Sequence, residues 1–220
     1  SSESPNVSGQ MAGNVVPAVK STGVYIFLKH FALNDQETSR EGRLTWADEQ
    51  TMREIYFKPF ETAVKQGKSM AMMSSFNRIG KIWAGGDYRL LTKLLRDEWG
   101  FRGMVVTDFN TNKTYMPADQ MIRAGGDINL CQDIQPSNDY TPTQIASMRK
   151  ATRNILYTVS RSNGMNGFGE DVVYGYLMAP WMIVLISFDG VVALGLAAWG
   201  IFAIKKAVKK HRNVTADQKL

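Results

Sequence analysis

Three short apolar runs in this chain each turn polar at their C-terminal end, and a helical pattern follows each. Residues 24–31 turn polar at Lys29 and His30, residues 70–73 run into Ser74 and Ser75, and residues 104–106 end at Thr107 and Asp108. Runs this short and apolar predict strands buried on both faces, the habit of parallel strands covered by helices. Thr45 or Asp48 can cap the first helix, which carries Ile55, Phe57, Phe60 and Val64 on one face and ends at Gly67. A second helix is predicted over 88–99 with Leu90, Leu91, Leu94 and Leu95 inward, and a third over 117–124. A short fourth strand at 127–130 precedes a last helix over 141–161 bearing Ile145, Met148, Ile155 and Leu156.

Strictly alternating strands and helices predict an α/β fold. In a (β/α)8 barrel the C-terminal strand ends form the face that carries the chemistry. Four such units are half of what closes a barrel. The predicted fold is therefore the C-terminal half of a (β/α)8 TIM-like barrel, with the other half expected upstream. The chain opens on Ser1 rather than Met, with no basic segment leading into an apolar one, which fits that expectation.

Within WGFRGMVVTDF (99–109), Gly100 and Gly103 punctuate the turn after a helix, and the strand that follows delivers the Asp108 carboxylate to the polar edge. An acid so placed is a candidate nucleophile. An Asp after a buried strand also commonly caps a turn or the next helix, and the local pattern leaves both readings open.

The single cysteine, Cys131, excludes an internal disulfide. Cys and His are nowhere clustered at metal-ligand spacing, and no metal or organic cofactor is expected. The net charge of +6 is concentrated at the tail, in Lys205, Lys206, Lys209, Lys210 and Arg212. That placement points to a membrane flank rather than to nucleic acid.

Four segments, KHFALNDQETSR, MMSSFNRIG, LLRDEWGFRGMVVTDF and AGGDINL, follow one another in an order and spacing that resemble the barrel domain of glycoside hydrolase family 3, of the β-glucosidase type. The resemblance covers roughly residues 2–167, and SESPNVSGQMA resembles the stretch preceding the Lys-His strand in that family. It implies a retaining exo-β-glycosidase in which Asp108 is the nucleophile and forms a covalent glycosyl-enzyme. Lys29 and His30 match a pair that hydrogen-bonds hydroxyls of the sugar, and Met73 matches a residue lining that subsite. Arg40 is a weaker match, either as a pocket wall or as a partner of Glu37.

Two positions depart from the family pattern. Phe76 stands where a Tyr is usual and cannot donate a hydrogen bond, and Phe109 stands where a Trp is usual and offers a smaller platform on the leaving-group side. A retaining mechanism also needs a second carboxyl to protonate the leaving oxygen. The resemblance implies a Glu from an upstream α/β sandwich domain, because the loop after Lys-His reads ALNDQE and lacks the His-Gly of the family's other branch. The segment at 151–167 resembles the end of barrels in members with the sandwich first, so the 220 residues alone are expected to hydrolyse nothing.

Residue by residue, blander readings stand beside these. His30 can be a core histidine, Lys29 can pair with Asp35 or Glu37, and Met72 and Met73 can simply fill the core. Asp87, Asp97, Glu98 and Asp127 read as solvated or capping charges.

Residues 176–204 are nearly all apolar or small, about 29 residues that as a helix exceed a bilayer core of about 30 Å. A single transmembrane helix is predicted, between a linker at 168–175 and a basic cytoplasmic tail at 205–220. Sliding the embedded window to 186–204 puts Asp189 in its outer turn at less cost than at mid-membrane; pairing of Asp189 with a partner helix is the alternative. The Ala193/Ala197 spacing is too common to argue dimerisation, and the segment lacks the polar face of a surface-lying helix. The basic flank stays cytoplasmic, with Glu170 and Asp171 on the other side, so a cell-membrane protein with an extracytoplasmic barrel is expected. The expected partners are a β-linked oligosaccharide or glycoside, the lipid bilayer and the upstream sandwich domain, with no nucleic acid. A non-catalytic, membrane-anchored carbohydrate-binding or surface-display protein is the rival reading; a transporter or sensor has only Asp189 behind it.

Overall fold

The computed structural model describes residues 3–110, 115–132, 139–165, 175 and 177–217. Two compact units divide the chain, Ser1–Gly169 and Glu170–Leu220. Most of the linker at 168–175, with Glu170 and Asp171, lies outside the described residues.

The first unit opens with helix α1 (Pro5–Lys20), whose start is set by Ser4, which accepts a hydrogen bond from Val7 N–H, and by Pro5 in the first turn. Strand β1 (Phe27–Phe31) follows, then the two-residue strand β2 (Leu44–Thr45). Asp48 caps α2 (Glu49–Thr51), accepting from the backbone and hydroxyl of Thr51 at 2.8 Å each. The helix widens to π-type turns over Met52–Tyr56 and tightens again as α3 (Lys58–Lys65). Next come β3 (Ala71–Ser74), β4 (Arg78–Ile79) and β5 (Ile82–Trp83). The wide helix Arg89–Glu98, β6 (Met104–Thr107), α4 (Ala118–Ala124) and α5 (Pro142–Val159) complete this unit.

β1, β3 and β6 form one parallel sheet with β3 in the middle, in the register Leu28↔Met72↔Val105. A parallel bridge from Val106 to Ile128 extends it. The predicted fourth strand is reduced to this bridge: Asp127 and Ile128 both donate their N–H to Val105 O, and beyond it Ile128 O accepts Thr107 N–H and Leu130 O accepts Asn110 N–H. β2, β4 and β5 make a small second sheet from strands too short to show a sequence period.

Burial follows the leucine pattern. Leu90, Leu91, Leu94 and Leu95 pack with Met72, Val105, Trp99 and Phe101 into the main core. Each fully buried side chain of that size contributes about 1.5–3 kcal/mol. Phe31 centres an aromatic group, 5.1 Å from Phe60 and 5.7 Å from Trp99 between ring centroids. Gly103 is required by contact: a Cβ there would lie 2.0 Å from Met70 O, the carbonyl that accepts Met104 N–H at the start of β6.

The structure corrects several expectations. β1 begins at Phe27 rather than Val24, because Val24 is exposed and the Tyr25 hydroxyl donates to Arg161 O instead of the segment joining a ladder. Ile55, expected inward, is exposed, since the π-type turns rotate it away from Phe57. On α5 the buried residues are Ala151 and Thr158, while Ile145, Met148 and Leu156 face outward.

In the second unit, α6 (Pro180–Asp217) holds the apolar segment, with a candidate span at Pro180–Lys206 of mean hydropathy 2.1. The helix starts four residues later than the apolar run, at Pro180, which can head a helix but not continue one.

Candidate active site

Three parallel strands end together, and their ends bring His30, Ser74, Ser75 and Asp108 to one edge. Asp108 leaves β6 with its N–H donating to Ser74 O at 3.1 Å, and its Oδ1 accepts Phe109 N–H at 2.7 Å. His30 Nε2 lies 3.0 Å from Asp108 Oδ2, but without hydrogen-bond geometry, and among the described residues Oδ2 accepts no hydrogen bond. The two side chains are mostly buried, 22% and 15% exposed. Burial lowers the His30 pKa below the usual 6.5; the neighbouring Asp108 pulls it back up, and Lys29 and Arg40 add to the lowering. A neutral imidazole offers one donor and one acceptor, and beside it stands a carboxylate oxygen not committed to the fold.

The other predicted residues surround this pair to different extents. Arg40 is held twice, by Glu37 at 2.9 Å and by the ring of Phe76, 4.4 Å from its guanidinium carbon. Phe76 is buried against Trp83, Met116 and Met121, so its place is a packed wall carrying a cation on its face. Phe109 is 38% exposed, an open ring beside the carboxylate. Met72 is fully buried in the core, whereas Met73, on the opposite face of β3, is only partly buried. Lys29 is exposed and lines a groove with Asp35 and α1. It forms no ion pair among the described residues; Glu37, one of its expected partners, is taken by Arg40.

Some neighbours were not legible locally. Tyr115 donates its hydroxyl to Phe76 O, and Arg78 lies over the Tyr115 ring at 5.0 Å. Asn110, two residues past Asp108, ties Met116 O and Asn129 to the same edge. Ser74 Oγ and the side-chain oxygens of Asn77 and Asn110 are buried without a hydrogen bond among the described residues. Ser74 stands at the polar end of its apolar run, as expected from the sequence; Asn77 and Asn110 each lie three residues past a strand end, and nothing local marks Tyr115. Asp127, expected as a solvated or capping charge, is instead a buried structural one: it pairs with Arg96 at 2.7 Å and accepts Val105 N–H and the Asn154 amide. Asp87 is likewise buried, capping the wide helix through Arg89 N–H. Asp97 pairs with Lys93 and Glu98 with Arg53 on exposed faces.

A parallel α/β domain with its polar constellation at the C-terminal strand ends defines the class. Residues 1–163 match the glycosyl hydrolase family 3 N-terminal domain, and the chain belongs to that family. It is 33% identical over 195 residues to a β-glucosidase of Ruminococcus albus, covering 81% of this chain and 21% of that protein. An exo-α-(1→6)-L-arabinopyranosidase of Bifidobacterium longum is 37% identical over 164 residues, covering 74% and 20%. Among solved structures, β-glucosidase 3B of Thermotoga neapolitana in complex with glycerol superposes with a TM-score of 0.65 at 30% identity, over 76% of this chain and 25% of that one. The chain spans about a fifth of the length of these curated relatives.

Proposed function

We propose that this chain is the nucleophile-bearing part of a membrane-anchored, retaining exo-β-glycosidase of the β-glucosidase kind. The observation that carries the reading is the Asp108 carboxylate, mostly shielded, with Oδ2 unspent and the His30 imidazole 3.0 Å away. In this reading the Asp108 carboxylate attacks the anomeric carbon, the bond to the aglycone oxygen breaks, and that oxygen takes a proton from a general acid. Water then attacks the same carbon, giving its proton to the conjugate base of that acid, as the bond from the carbon to the Asp108 carboxylate oxygen breaks. The acid is assigned to a Glu of an α/β sandwich domain outside these 220 residues, and the strands to the C-terminal half of a (β/α)8 barrel. Lys29 and His30 act as donors to sugar hydroxyls, Met73, Phe76 and Phe109 as apolar walls, and Arg40, held by Glu37, as part of the pocket wall.

Anchoring is assigned to the span in α6, with the basic residues that follow on the cytoplasmic side. A reporter enzyme fused after Leu220 tests this topology: activity confined to the cytoplasmic side supports it, and activity only outside overturns it.

The chemical test uses 2,4-dinitrophenyl 2-deoxy-2-fluoroglucoside, whose leaving group departs without a proton. The full chain acquires one fluoroglucosyl group, located by peptide mass spectrometry on Asp108. An adduct elsewhere, or none, overturns the assignment. Sugar binding without an adduct supports the rival non-catalytic carbohydrate-binding reading, which the missing hydroxyl at Phe76 favours. The relatives' names span glucosides and an arabinopyranoside, so the same experiment with the fluorinated arabinopyranosyl analogue reads the sugar class.

A further inference from the structure

At the opposite end of the strands from Asp108, where β6 begins, the wide helix Arg89–Glu98, α4 and α5 enclose a cleft of about 370 Å³. Five cations line it, Arg96, Arg102, Arg123, Lys150 and Arg153, against two carboxylates, Asp97 and Asp127. The known pairings account for both acids and for part of the positive charge. Arg96 is spent on Asp127 and on the carbonyls of Gly103 and Gly125, Arg123 on Asp119, and Asp97 on Lys93. Arg102, Lys150 and Arg153 remain, and among the described residues none of them has a carboxylate within 4.0 Å.

The remaining cations are all exposed, and one of them has an aromatic neighbour. Arg102 lies over the Tyr157 ring at 4.8 Å, a ring that also carries Arg161 at 3.8 Å. Lys150 and Arg153 stand three residues apart on α5, hence on neighbouring positions of one face. The floor is closed by the buried Arg96–Asp127 pair and is internally neutral. Water screens these exposed charges, but like charges around one concavity still favour an anion among them, and guanidinium groups match tetrahedral oxyanions with paired donors.

We propose that this cleft binds a phosphate group carried by a small molecule. Its volume is at the small end of ligand pockets, and the acids at its margin, Asp97 and Asp119, interrupt any basic track a long polyanion would follow. A soluble phosphate ester and a phospholipid headgroup present the same chemistry.

The test titrates the full chain, in neutral detergent, with pyrophosphate by calorimetry, beside the double variant Lys150→Gln/Arg153→Gln. Saturable binding that weakens at least about tenfold in the double variant and fades with added salt supports the site. Dihexanoyl phosphatidylglycerol then competes if a headgroup is the natural source; failure to compete assigns the site to a soluble ester. Dihexanoyl phosphatidylcholine is the neutral-lipid control, and comparison with the variant separates the cleft from the basic tail, which both proteins share. No saturable binding, or equal binding by the variant with an unchanged circular dichroism spectrum, overturns the proposal. Neither readout depends on glycosidase activity.

Discussion

Asp108 and Asp127 are both packed against β6, one at each end, and they use their oxygens differently. The Asp127 side chain is 1% exposed, and both its carboxylate oxygens accept hydrogen bonds, from Arg96, Val105 N–H and Asn154. Burial pushes its pKa up, while Arg96 and the hydrogen bonds oppose that push. Asp108 is 15% exposed, holds only Phe109 N–H on one oxygen and keeps the other beside His30. A buried carboxylate with both oxygens engaged in hydrogen bonds is a structural tie. Asp108, at the other end of the same strand, leaves one oxygen without a hydrogen bond among the described residues.

The sharpest way to break this contrast is to remove each charge in turn. Asp108→Asn lowers the rate of fluoroglucosyl labelling by about 10⁴-fold or more while leaving stability within about 0.5 kcal/mol, read by kinetics and by urea unfolding. Asp127→Asn gives the reverse. It leaves Arg96 as an uncompensated buried charge and lowers unfolding free energy by about 3–5 kcal/mol, with labelling per folded molecule unchanged. Equal effects of the two substitutions on labelling would dissolve the distinction.

His30→Gln sharpens the Asp108 side. Losing a donor near the reacting group slows labelling by about tenfold to a hundredfold. It also alters the pH profile of stability. Because burial holds the folded His30 pKa below 6.5, the unfolded chain binds the proton more readily. Stability therefore falls as pH drops below about 6.5 and is regained above it, and the variant flattens that limb in unfolding curves taken across this range. The smallest effect belongs to Phe76→Tyr. A hydroxyl at the buried wall raises labelling by about twofold to tenfold if it reaches Asp108, and leaves it unchanged if Arg40 keeps the ring in place.

The contrast between the two acids was only half visible in the sequence. Asp108 and His30 each end an apolar run, and parallel strands put such ends together even from 78 positions apart, whereas the roles proposed for them rest on the family resemblance. The leucine period over the wide helix named its buried face for the same reason: one strong repeat with one consistent partner. Asp127 was misread because its partner Arg96 lies 31 residues earlier, and no local pattern reports a long-range ion pair. α1, in which Val7, Met11, Val15, Val16 and Val19 are interspersed with Gly, Ser, Asn and Pro17, carries no helix prediction from the sequence. α5 gave a period, but periodicity shows that a face is apolar and not what packs on it. The two-residue strands β2, β4 and β5 exist only through each other, at a scale below any sequence repeat.

β3 is the strand laddered along both sides, and Ser74 at its end receives the Asp108 amide. Exposing that amide to solvent exchange requires parting β3 from a neighbour, not fraying a loop. In deuterium-exchange terms the Asp108 amide is expected to exchange with the opening of the sheet rather than with the fraying of a loop.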